Sequence, residues 1–180
     1  ARGGGWTSAR HFAVPTTDVP VRAVAPTLAW FNAALRERVF PALAAQFGVR
    51  PERLRVIDAF VVKYAAARGQ RFLPLHCDQS EISLTIPLNA ADEYAGGGTY
   101  FSDLGRALNR DAGGLISFSG RAHHGAHPVP RGTRYVIVAF LYEYREEGAR
   151  GAAAHAQLAV VVHGGRAPQV DQQRGPHRCA

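Results

Sequence analysis

The stretch Leu75-His76-Cys77-Asp78 combines the residue types and the spacing best suited to holding a metal ion. On an extended backbone the imidazole of His76 and the carboxylate of Asp78, two residues apart, project from the same face and can share one ion. A second histidine brought in from a distant strand would complete a set of two histidines and one carboxylate. Such a set leaves three neighbouring positions open on an octahedral metal and suits non-haem Fe(II). Zinc competes for the same donors, but a tetrahedral catalytic zinc would keep only one position open. His123, His124 and His127 are the candidates for the second histidine. Further on, Arg134 opens the most apolar strand of the chain, where an unpaired charge is costly. A guanidinium in such a place is expected to meet a planar carboxylate through two parallel charge-assisted hydrogen bonds.

The elements that must position these residues follow from periodicity. Residues 1–24 show no sustained period and read as extended structure or a loop. From Pro26, the recurrence of Leu28, Phe31, Leu35 and Val39 is the apolar stripe of an amphipathic helix. Pro41 is expected to open a second helical piece running through Leu43 and Phe47 to Gly48. Strand texture follows over 55–64, 81–89, 98–102, 114–119 and 133–144, separated by turns such as Gly96-Gly97-Gly98 and Gly113-Gly114. In 81–89, Ile82, Leu84, Ile86 and Leu88 fall on one face, and Ser83, Thr85, Pro87 and Asn89 on the other. Helices first and many short strands afterwards indicate an α+β domain, mainly β, in which the N-terminal helices support a sheet sandwich or barrel. The domain is expected over 1–147, with its core at about 55–144. Residues 148–180 read as a poorly ordered tail with an optional short strand at 158–162.

Composition narrows the remaining possibilities. A chain of 180 residues suits one domain. No run approaches the roughly 18 apolar residues that a membrane-spanning helix requires. The first residues lack the apolar stretch of a signal peptide, although the chain starts at alanine and has no methionine, which leaves the compartment open. Two cysteines, Cys77 and Cys179, build neither a disulfide framework nor a zinc site. The net charge of +7 invites a polyanion partner, but the arginines are scattered and Lys63 is the only lysine. Nucleic acid is therefore a minor alternative, to be judged by the salt dependence of binding.

Beyond its residue chemistry, the stretch from about Ile57 to Tyr142 resembles the prolyl and lysyl hydroxylase branch of the Fe(II)- and 2-oxoglutarate-dependent oxygenases. The matching segments are Phe60-Val61-Val62-Lys63-Tyr64, Leu75-His76-Cys77-Asp78, Thr85-Ile86-Pro87-Leu88-Asn89 and Tyr94-Ala95-Gly96-Gly97-Gly98-Thr99-Tyr100-Phe101. The last runs from His124 through Pro128-Val129 to Gly132-Thr133-Arg134-Tyr135. In that family the second metal histidine precedes the basic 2-oxoglutarate anchor by ten residues, the separation between His124 and Arg134. The glycine triplet and the arginine anchor look more like the lysyl hydroxylase side of the branch.

The resemblance implies a double-stranded β-helix (jelly roll), with Fe(II) held by His76, Asp78 and His124. It implies 2-oxoglutarate anchored by Arg134 and lined by Tyr64, O2 as oxidant and ascorbate as reductant. Thr85 and Ser83 are weaker candidates for the co-substrate pocket, and Asn89 for orienting a ligand. Cys77, between the two ligands, is expected to point away from the iron, and His123, next to His124 on a strand, to face the other way. His127 departs from the family pattern and is expected to be solvent-exposed, with a donor to a metal ligand or a substrate contact as alternatives. His11, His155, His163 and His177 lie outside the matching segments and read as surface residues. The implied reaction is hydroxylation of a C–H bond in a prolyl or lysyl residue of a peptide. A free amino acid or other small molecule is the alternative substrate, and a non-catalytic metal- or keto-acid-binding module is the alternative class. Segments 90–96 and 104–113 are the expected substrate-facing loops.

Overall fold

The computed structural model describes residues 5–67 and 69–145, together with the backbone of Ala159–His163 and Gln169–Gln172. Two antiparallel sheets face each other. The larger runs β1 (Asp18–Pro20), β2 (Leu54–Ala65), β10 (Arg131–Glu143), β4 (Ile82–Pro87), β8 (Leu115–Ser119), β11 (Ala159–His163) and β12 (Gln169–Gln172), with β5 (Tyr94–Ala95) pairing one end of β10. The smaller has the order β3 (Leu73–His76), β9 (His124–Ala126), β6 (Thr99–Phe101) and β7 (Arg106–Leu108). Strands distant in sequence lie side by side in both sheets, as a jelly roll requires.

The larger sheet is buried on both faces, so its central strands β2 and β10 read as nearly continuous hydrophobic runs. Ile137, Ala139 and Leu141 of β10 join Val61, Ile82, Leu84 and Ile86 against the helices. Their neighbours on the opposite face of β10, Val136, Val138 and Phe140, turn into the sandwich with Phe60, Val62 and Tyr64 of β2.

The helical cover is α1 (Ala25–Ala34), a π-helical turn (Leu35–Val39) and α2 (Phe40–Phe47) in one continuous run. Phe31, Leu35, Val39 and Leu43 form its buried stripe, and each buried side chain contributes roughly 1.5–3 kcal/mol. The expected break at Pro41 is a widening instead. Proline has no N–H to offer the carbonyl four residues back, and the Phe40 N–H bonds Leu35 O, five residues back. Gly48 closes the run in the left-handed conformation at φ 67°.

The five expected strands correspond to β2, β4, β6, β8 and β10. Short strands such as β7 and β9 carry too few residues to show a period of two. The N-terminal region, expected as extended structure or loop, adds β1 and the 3-10 turn Val21–Ala23. Of the segment beyond 147, the backbone of β11 pairs with β8 and extends the sheet, and β12 pairs with β11. No helix among the described residues is long and apolar enough to cross a membrane.

Candidate functional site

His76 ends β3 and His124 begins β9, and the two stand opposite each other across the antiparallel ladder. Asp78 follows β3, with its amide bonded to Gly120 O at 2.8 Å. The Asp78 carboxylate lies between the imidazoles, with Oδ1 3.3 Å from His76 Nε2 and Oδ2 3.4 Å from His124 Nε2. One donor atom from each residue lies within 4.8 Å of the others, a group able to hold a metal ion. Neighbouring ligands of one octahedral metal, each about 2.1 Å from it, sit about 3 Å apart, so this spacing needs little adjustment.

Both imidazoles are oriented the same way. His76 Nδ1 is 2.8 Å from Pro74 O, and His124 Nδ1 is 2.8 Å from Ala122 O. A carbonyl can only accept, so each Nδ1 carries the proton and each Nε2 presents its lone pair to the shared centre. Phe118 and Phe101 pack on the His124 ring, with centroids 4.6 and 6.1 Å away. Gly125 lets β9 approach β3 closely, because a Cβ there would stand 2.7 Å from Leu73 O.

The electrostatics favour an ionised carboxylate between two imidazoles whose pKa values are shifted in opposite directions. Burial opposes ionisation of Asp78, but the His76 hydrogen bond, the neighbouring His124 and the Ser83 hydroxyl outweigh it and hold the carboxyl below its ordinary value. Ser83 Oγ donates to Asp78 Oδ2 at 2.5 Å and also contacts Ser80 Oγ at 2.8 Å. Burial likewise disfavours charge on His76, yet its hydrogen bonds to Asp78 and Pro74 raise it overall. On His124 burial prevails and the value falls.

Arg134 lies in the same cavity, whose volume is about 350 Å3. Its side chain is among the most buried of the chain, yet Nε and Nη2 have no hydrogen-bond partner. Leaving a buried cation unpaired is expensive, so the geometry fits a carboxylate ligand. Tyr64, opposite Arg134 in the β2–β10 register, places its ring 5.9 Å from the guanidinium. Burial pushes its hydroxyl up to about 12, so it remains a donor. Asn89 clamps the backbone on either side of Arg134, donating to Thr133 O and accepting from Tyr135 N, each at 2.9 Å. Gly97, at φ 70°, makes room for the arginine, since a Cβ there would fall 2.9 Å from its Cδ. Thr85 and Thr99 line the cavity with hydroxyls 3.5 Å apart.

The expected residues therefore converge, with some changes of part. Ser83 serves Asp78, and Asn89 serves the segment that carries Arg134. His127 is exposed, as expected. Cys77 lines the cavity rather than turning wholly away from it. A bond between Cys77 and Cys179 falls outside the described residues, as do the side chains of His155, His163 and His177. The loops at 90–96 and 104–113, expected to face the substrate, do not line the cavity that holds His76, Asp78 and His124; Ala91 and Asn109 border a separate cleft with Arg38. His11, expected at the surface, is half-buried and lines the cavity with its neighbours in residues 10–16. Nothing in their sequence signalled this, since they reach the site through contacts with residues more than 40 positions away.

No family model matches the chain. It is 30% identical over 151 residues, 77% of its length, to a multifunctional procollagen lysine hydroxylase and glycosyltransferase of Rattus norvegicus. It is also 30% identical over 152 residues to procollagen-lysine,2-oxoglutarate 5-dioxygenase 2 of Homo sapiens, again over 77% of the chain. The chain spans about a fifth of the length of these relatives, 20% in each case. In fold it is similar to a 2OG-Fe(II) oxygenase family oxidoreductase of Burkholderia pseudomallei, with a TM-score of 0.54 and 20% identity, over 69% of this chain and 60% of that one. The relatives in sequence are procollagen lysine hydroxylases and the neighbour in fold is a 2OG-Fe(II) oxygenase, and together they support a prolyl/lysyl hydroxylase-like branch of the Fe(II)- and 2-oxoglutarate-dependent oxygenase superfamily. This is a superfamily of dioxygenases. In this chain β3, the residues just after it and β9 carry the candidate metal ligands, and β10 carries the candidate anchor.

Proposed function

We propose that this domain hydroxylates a C–H bond of a prolyl or lysyl residue in a peptide, using Fe(II), 2-oxoglutarate and O2. The observation that carries the reading is Arg134, whose buried Nε and Nη2 lack hydrogen-bond partners in the same cavity as His76, Asp78 and His124. A metal site alone fits many chemistries, whereas a metal site sharing a cavity with an unpaired arginine fits a co-substrate that chelates at one end and carries a carboxylate at the other.

In this reading His76, Asp78 and His124 hold the iron and Arg134 holds the distal carboxylate of 2-oxoglutarate. When bound, the iron and its co-substrate supply the oxidation, with 2-oxoglutarate and O2 consumed as succinate and carbon dioxide form and one oxygen atom enters the substrate. The chain supplies orientation. Pro74 and Ala122 carbonyls set the imidazole tautomers, and Ser83 fixes the carboxylate. Tyr64 contributes a neutral hydroxyl beside the anchor, and Phe118 with Val136 and Val138 gives the cavity apolar walls.

The test is succinate release by protein supplied with Fe(II), ascorbate, 2-oxoglutarate and oxygen, over a panel of proline- and lysine-containing peptides. The expected result is one hydroxylated residue per succinate with at least one peptide. Succinate release with no peptide consumed would contradict the peptide reading and leave a small molecule as substrate.

A further inference from the structure

One wall of the cavity comes from neither sheet. Residues 8–17 form a loop closed at its base by the Thr7–Asp18 bridge, whose amides and carbonyls pair at 3.0 and 2.9 Å. Such a loop is held by its own side chains. Arg10 donates to Asp18 and, at 2.6 Å, to Asp58. Thr16 Oγ1 donates to Asp18 Oδ2 at 2.6 Å, and Gln70 ties Pro15 O and Thr17 N to the end of β2. The loop is therefore anchored where it faces the site. Its Phe12 is fully exposed at the rim.

His11 is the residue in this wall whose hydrogen bonding is incomplete. Its ring rests on Phe60, with centroids 4.4 Å apart. Nε2 is buried and makes no hydrogen bond, its nearest acceptor being Asp18 Oδ2 at 3.6 Å. In the neutral ring, the tautomer with its proton on Nε2, toward this carboxylate, leaves Nδ1 as an acceptor. Nδ1 makes no hydrogen bond to any of the described residues. The charge of the cavity is equally informative. Among the described residues that line it, Asp78 is the only acid, whereas Arg10 and Arg134 are both present. Asp18 and Asp58 are held by Arg10 and do not line it. Arg10 is already matched by these two carboxylates, so a lysyl ammonium entering this space would find, among the described residues that line it, no carboxylate other than Asp78.

We propose that the loop at residues 8–17 is the specificity wall of the site. His11 Nδ1 accepts a hydrogen bond from a main-chain N–H of the substrate peptide, and the cavity admits an uncharged side chain such as prolyl. The proposal rests on the oxygenase reading above and narrows it to the prolyl side, away from the lysyl side that the glycine triplet and the arginine anchor resemble.

The test uses the Fe(II)-loaded protein with two decapeptides, one of alternating glycine and proline, the other with lysine in place of proline. Succinate release is measured in wild type, in His11→Phe, which keeps a ring on Phe60, and in His11→Asn, which keeps an acceptor. The proline peptide is expected to stimulate succinate release and the lysine peptide is not. KM for the proline peptide should rise about tenfold in His11→Phe and by much less in His11→Asn, while KM for 2-oxoglutarate stays put. A purely structural role for His11 would not split the two constants. Preference for the lysine peptide, stimulation by neither, or an unchanged peptide KM in His11→Phe would overturn the proposal. Any of these leaves the oxygenase reading standing if the protein still forms the visible band of an Fe(II)–2-oxoglutarate chelate without oxygen. Absence of that band in wild type would remove both.

Discussion

The two walls of the cavity are built on different physical terms. At the metal end, three side chains from β3, the residues just after it and β9 are fixed by backbone carbonyls, by the Ser83 hydroxyl and by aromatic packing. At the loop end, Arg10 bridges Asp18 and Asp58 with about a fifth of its side chain exposed (20%), a hold that water and salt can weaken. The first wall is suited to chemistry that tolerates little displacement, the second to a surface that differs with substrate. A change at the metal end should therefore abolish reaction with every substrate, whereas a change in the loop should alter which substrate is used.

The largest effect should come from Asp78→Ala, which removes the carboxylate shared by the two histidines. Succinate formation should fall to background on every substrate, as read by direct product assay. Retained turnover would show that the strand wall is not the reactive one. Arg134→Met should come next and should act in two directions. Affinity for 2-oxoglutarate should fall on the order of a hundredfold or more by titration, because a buried charge partner is lost. The protein without ligands should melt at a higher temperature, because an unpaired buried cation has been replaced by an apolar chain of similar length.

Ser83→Ala should weaken iron binding by about ten- to a hundredfold in a metal titration, as loss of a group that orients a ligand does. Acidification should also weaken it, and the sign follows from His76. Its value is raised, so it gains a proton before His124 does as pH falls, and protonated Nε2 cannot bind metal. Iron affinity should be level above the raised His76 value and decline below it, while Asp78 remains ionised. The smallest effect belongs to the loop. Asp58→Asn should lower stability by no more than about 1 kcal/mol in denaturant melts, while raising KM for the peptide and leaving iron affinity unchanged.

The same contrast accounts for what the sequence made legible. His76 and Asp78 are readable because their geometry follows from two adjacent positions on a strand. His124 and Arg134 became readable through the ten-residue spacing of a family resemblance. The apolar runs of β2, β4 and β10 announce a sheet buried on both faces. The loop wall gave no such signal, because Arg10 meets Asp58 and His11 meets Phe60 across more than 45 residues. The part of Ser83 was missed for a related reason. Its place on the polar face was evident, but whether it meets the co-substrate or Asp78 depends on how the segment after β3 folds back onto β4.

The most direct test of the account is to add Fe(II) and then 2-oxoglutarate in the absence of oxygen and record the visible spectrum. The account predicts a charge-transfer band in wild type that disappears in Asp78→Ala and in Arg134→Met. Tight iron binding in wild type with no band on adding 2-oxoglutarate would contradict it.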